Sequence, residues 1–169
     1  MIIRLTVKLA KKIGEKPGPL RPLNENPFTD WTARLFRVKG VQYIMITNTA
    51  SLYSTIMFGS AITSDSKFIK RVLSSLREFL TADGHQFIYE RFIVPSTGSI
   101  LFSSALNRSV TGSMNDLVLQ AKSILAGGLV SPFDASFKIN DTPLSYLQYS
   151  RPKKVFSQMK MDLEHPTRA

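Results

Sequence analysis

Cysteine is absent from the 169 residues, which excludes disulfides, thiolate nucleophiles and sulfur ligation of a metal. Histidine occurs only at His85 and His165, too few for a multi-histidine centre, so neither metal nor cofactor is expected. No apolar run approaches the roughly 18–20 residues that span a bilayer. The apolar stretch at residues 1–5 is too short for a signal peptide and runs into lysines rather than a cleavage site. A cytoplasmic protein with no membrane partner is the expectation. A glycine-rich phosphate loop followed by Lys-Ser/Thr is missing as well. Acidic side chains are scarce, and no close carboxylate pair suits acid–base work. Asp65, Glu78, Glu90 and Asp134 read as caps and solvated faces.

What is present describes a packed globule. Eleven Phe and a hydrophobic fraction of 43% supply surface to bury, and the length suits one domain over 1–169, with 162–169 as a frayed tail. Residues 2–5 read as a strand. Thr6 can cap a helix through Ile13 that Gly14 stops. Four prolines between 15 and 30 predict an irregular connection. Residues 31–38 and 41–48 flank Lys39-Gly40 as a hairpin, and 52–58 follow as a third strand. Phe68, Ile69, Val72, Leu73, Leu76, Phe79 and Leu80 recur at helical spacing over 64–83. Residues 86–94 and 99–105 read as a second hairpin around Pro95-Ser96-Thr97-Gly98. A second long helix is predicted over 113–126, a strand over 135–139, and short helices near Thr142 and from Pro152. The fold class is therefore α+β: a mainly antiparallel sheet, two principal helices against it, and short terminal helices.

Charge is distributed unevenly. Lys and Arg number 22 against 12 Asp and Glu, a net +10. Residues 1–40 hold nine basic and three acidic side chains, and 151–169 hold five and two, so the two ends carry nearly all of the excess. Such a field attracts polyanions: nucleic acid, an anionic membrane surface, or an acidic protein partner. Candidate phosphate contacts are Lys8, Lys11, Lys12, Lys16, Arg21, Arg34, Arg37, Lys39, Lys153 and Lys154. Trp31, Phe28 and Tyr43 are possible stacking platforms. No base-reading helix is apparent, so the reading is a sequence-nonspecific nucleic-acid-binding module. If chain ends lie near one another, the two basic ends form one continuous positive face.

One motif stands apart: Asn107-Arg108-Ser109-Val110-Thr111-Gly112-Ser113-Met114-Asn115-Asp116. Ser113 with Asp116 three residues on has capping-box spacing, and Gly112 permits a bend before it. A helix N-terminus preceded by an arginine is also an anion site. That gives a second candidate, an enzyme or small-anion binder using Arg108, Ser109, Ser113, Asn115 and Asp116. Pairing of Ser109 or Ser113 with His85 would extend it to nucleophilic chemistry. The motif resembles the signature of an uncharacterised bacterial domain-of-unknown-function family. Leu5-Thr6-Val7-Lys8-Leu9-Ala10-Lys11-Lys12 is similar to that family's opening helix. Trp31, Ala33 and Leu35 with Thr47-Asn48, and Asn140, Thr142 and Pro143, are similar to its later segments. The resemblance covers most of the chain and implies no activity.

Overall fold

A computed structural model describes residues 1–160. The frayed tail expected at 162–169, and His165 within it, lie outside the described residues. The strands are β1 (Ile2–Leu5), β2 (Asp30–Val38), β3 (Val41–Asn48), β4 (Ser54–Phe58) and β5 (Leu101–Ser103). The helices are α1 (Val7–Ile13), α2 (Asp65–Ala82), α3 (Gln86–Ile88), α4 (Arg108–Ala126), α5 (Pro132–Ile139) and α6 (Pro152–Gln158). The class is α+β, and the sheet is mixed, in the order β4-β3-β2-β1-β5. Antiparallel pairs of eight and five residues join β2 to β3 and β3 to β4. Parallel pairs of four and three residues set β1 beside β2 and β5. The β1–β2 crossover contains α1 and the proline-rich segment, enough chain to return a strand in the same direction.

The alternation of β2 divides the core. Trp31 and Ala33 face a cluster built with Leu9, Ala10 and Ile13 of α1, Phe68, Val72, Leu76 and Phe79 of α2, and Phe156 of α6. Phe36 and Val38 face the other cluster, with Val110, Met114, Leu117 and Ala121 of α4 and Ile139 of α5. The two predicted long helices therefore pack on opposite faces. Lys39 (φ 49) and Gly40 (φ 83) both adopt the left-handed conformation of a type I′ turn, confirming the first hairpin.

Two expected strands are helical instead. Residues 86–94 run through α3 into a wide turn, Tyr89–Ile93, and a 3₁₀ turn, Val94–Ser96. Ile88, Tyr89, Phe92 and Ile93 fall on one helical stripe against the core, and that spacing outweighs their β propensity. β5 thus has no hairpin partner and pairs with β1. Residues 135–139 belong to α5, started by Pro132 at its first position and by Ser131, whose hydroxyl accepts from Asp134 N at 3.0 Å. The short helix expected near Thr142 appears as a 3₁₀ turn over Ser145–Leu147, and α6 forms as expected.

Both edges of the sheet are covered. On β4, Asn140 Nδ2 donates to Ser54 O at 2.7 Å while its Oδ1 accepts from Ser54 N at 2.8 Å. Ser136 Oγ accepts from Ile56 N at 2.9 Å. On β5, Ser103 Oγ donates to Pro19 O at 3.2 Å, and Ser104 Oγ donates to Gly18 O at 3.2 Å. A Cβ at Gly18 would lie 2.6 Å from the Phe102 carbonyl oxygen, so only glycine permits this approach.

Candidate polyanion-binding cleft

β1 runs beside β2 only as far as the Leu5–Ala33 pair. Thr6 N donates to Ala33 O at 3.3 Å and the chain then turns into α1. Among the described residues, the outer edge of β2 from Arg34 to Val38 has no neighbouring strand. α1 borders this gap on one sheet face and α4 on the other. Between them lies a cleft of about 270 Å³ lined by Lys8, Arg34, Leu35, Phe36, Arg37, Val118 and Lys122. Four cations from three elements converge there with no carboxylate among the lining residues. None of the four takes part in an ion pair among the described residues. Like charges gathered without a counter-charge raise the local potential and draw anions.

Lys8, Arg34 and Arg37 are sequence-predicted contacts that the fold brings together. Lys122 was missed. It is an exposed residue of α4, one turn after buried Val118, and only the packing of α4 on β2 carries it to the cleft.

The other predicted contacts are placed elsewhere. Lys11 and Lys12 occupy the last turn of α1, where cations complement the helix dipole, and Lys12 Nζ donates to Gln42 Oε1 at 2.7 Å. Lys16 is exposed beyond Gly14, and Lys39 sits at the hairpin tip. Arg21 is half-buried, its Nε enclosed without a partner, and its carbonyl accepts from Arg4 Nη1 at 2.8 Å. Lys153 pairs with Asp141 at 2.9 Å and Arg151 pairs with the same oxygen at 3.1 Å. The Lys153 hydrogen bond, with the charges of both cations, holds the Asp141 carboxyl below its ordinary pKa. Lys154 lines a separate cavity of about 400 Å³ with Asp83, His85, Arg151, Lys153 and Ser157. α6 packs at the start of β2, with Phe156 6.1 Å from Trp31, whereas the cleft follows the strand's second half. Among the described residues, the cleft and the cavity lined by Lys153 and Lys154 share no residue, so cations from the two ends of the chain line separate cavities.

Stacking platforms are not found where expected. Trp31, Phe28 and Tyr43 are buried, and Trp31 Nε1 donates to Phe28 O at 2.8 Å. An amphipathic ring on a strand is drawn inward by its apolar area once a core covers that face.

The 107–116 motif also differs from its expected geometry. α4 begins at Arg108, and its cap is Asn107, whose Oδ1 accepts from Val110 N at 2.9 Å. Ser113 lies inside the helix and donates to Ser109 O at 2.9 Å, so it caps nothing. The Asn-x-x-Val start wins because it adds a turn and brings Val110 into the core. Arg108, Ser109, Asn115 and Asp116 are exposed, and the principal cavities are lined by other residues. His85 does not meet Ser109 or Ser113. Its ring packs edge-on against Tyr53 and Phe156, on the sheet face opposite α4. Burial lowers its pKa against the opposing pull of Asp83. Tyr53 donates to Asp83 Oδ2 at 2.6 Å, and burial with that bond raises its pKa.

Residues 2–155 match the family model of a domain of unknown function, DUF6933. The chain belongs to this family. Membership accounts for the resemblance seen over most of the sequence, and the DUF6933 description carries no activity. A search of curated proteins finds no match to this DUF6933 chain. Among the described residues no helix is long and apolar enough to cross a membrane.

Proposed function

We propose that the protein binds a polyanion, the backbone of RNA or DNA, through the cleft between α1, β2 and α4. The observation that supports this is the convergence of Lys8, Arg34, Arg37 and Lys122 on one cleft that no acid lines among the described residues. Phosphate oxygens fit such a site, because two arginines can each donate a pair of N–H groups. No aromatic ring lies exposed in the cleft, so contacts are to phosphate and sugar and carry little sequence preference.

The test is a salt titration of binding to labelled single-stranded and duplex oligonucleotides. Affinity falls steeply with salt as counterions are released. Replacing Lys8, Arg37 and Lys122 with Gln lowers the slope by about one for each phosphate that is no longer neutralised. Replacing Arg108 with Gln leaves the slope unchanged. Absence of binding to either oligonucleotide at low ionic strength overturns the reading.

The free outer edge of β2 favours one second reading. An extended acidic segment of a partner protein could add a strand beside residues 34–38, with the same four cations around it. Saturable binding of an acidic peptide, combined with no binding of oligonucleotide, would decide for it.

A further inference from the structure

A cavity of about 510 Å³ lies on a different part of the fold, between the end of β4 with the loop after it and one face of α2. Phe58, Ala61 and Ile62 supply apolar surface, and Lys67, Lys70 and Arg71 supply three positive charges. Among the described residues no carboxylate lines it and none of these cations takes part in an ion pair. Asp65 in the first turn complements the dipole of α2, but Lys67 and Arg71, one turn apart, are like charges whose repulsion a bound anion would relieve. Phe58, the last residue of β4, stacks on Tyr43 with ring centroids 5.4 Å apart and remains 51% exposed. The cavity has the size of a small-molecule site.

We infer that this cavity binds a soluble amphipathic anion, with an acyl chain or ring against Phe58, Ala61 and Ile62 and a carboxylate-type head among Lys67, Lys70 and Arg71. A concave site of this volume holds one molecule, whereas a bilayer surface calls for protruding apolar residues. The ligand is therefore a free monomer rather than a membrane.

The experiment is a calorimetric titration of the full chain with monomeric decanoate, with decanol and inorganic phosphate as probes that each carry one half of the chemistry. Decanoate binds saturably at one site, at least about tenfold more tightly than either control, a tenfold step being the scale of one favourable charged contact. Exchanging Lys67 and Arg71 for Gln, and separately Ala61→Glu, each weakens decanoate by about tenfold or more. These positions are exposed, and circular dichroism with a thermal melt verifies the fold. Lys8→Gln with Arg37→Gln leaves decanoate binding unchanged, which separates this site from the nucleic-acid cleft. Equal binding of decanol or of phosphate, or an unchanged affinity in both cavity variants, overturns the inference. So does co-sedimentation with phosphatidylglycerol vesicles in the absence of monomeric decanoate binding.

Discussion

Arg4 Nε and Nη2 each donate at 2.8 Å to a different carboxylate oxygen of Asp30, and both side chains are fully buried. The guanidinium also donates to the carbonyls of Arg21 at 2.8 Å and Pro22 at 3.0 Å. One ion pair between adjacent strands thus fastens the proline-rich segment close to the β5 edge. Asp30→Asn is expected to destabilise the fold by about 3–5 kcal/mol, because it leaves a buried guanidinium unpaired. Urea denaturation measures it. The double variant Arg4→Met, Asp30→Leu recovers only part of the loss, since the Arg21 and Pro22 carbonyls lose their donor.

The start of α4 can be located by a pair of substitutions. Asn107→Ala removes the cap on Val110 N and costs about 1 kcal/mol. Ser113→Ala removes only a hydroxyl bonded within the helix and gains helix propensity, so its effect stays within about 0.5 kcal/mol. The reverse ranking in chemical denaturation would place the helix start at Ser113.

Asn140 guards the outer edge of β4. Asn140→Ala leaves the Ser54 N–H and C=O unpaired in a buried setting, at about 1–3 kcal/mol for each group. An opened strand edge also invites pairing between chains. The variant is expected to melt earlier and to scatter more light on heating, and Ser136→Ala is expected to show the same behaviour to a smaller degree.

His85 gives the fold a pH dependence with a definite sign. Burial lowers its pKa in the folded state, so the unfolded chain binds the proton more readily. The resulting stability is complete above the ordinary histidine pKa of about 6.5 and is lost as the pH falls through that value toward the folded one. His85→Gln is expected to reduce the slope of stability against pH below about 6.5. An NMR titration, with His85 assigned by its absence in the variant, reads the lowered pKa directly.

Local pattern carried much of the fold. Seven apolar residues at helical spacing define α2, the Lys39-Gly40 dipeptide defines the first hairpin, and Gly14 ends α1 with φ +73. The failures came where two local patterns competed. In residues 86–94, β-branched and aromatic residues suggest a strand, while Ile88, Tyr89, Phe92 and Ile93 also fit a helical stripe, and burial against the core chose the stripe. Around Ser113 two capping patterns overlap, and the earlier one prevailed because it buries Val110.

The sequence alone determined the α+β class, the two principal helices, the missing thiol chemistry and the surplus of positive charge, because each depends on residue type or on neighbours a few positions apart. Which charges act together was decided only by the tertiary structure. Lys8, Arg34, Arg37 and Lys122 are separated along the chain by up to 114 residues. They share a cleft because β1 stops pairing at Ala33 and α4 packs across the exposed half of β2. Lys153, with as good a claim by sequence, is held instead by Asp141. Electrostatic fields add over distance in space, and only the folded chain sets those distances.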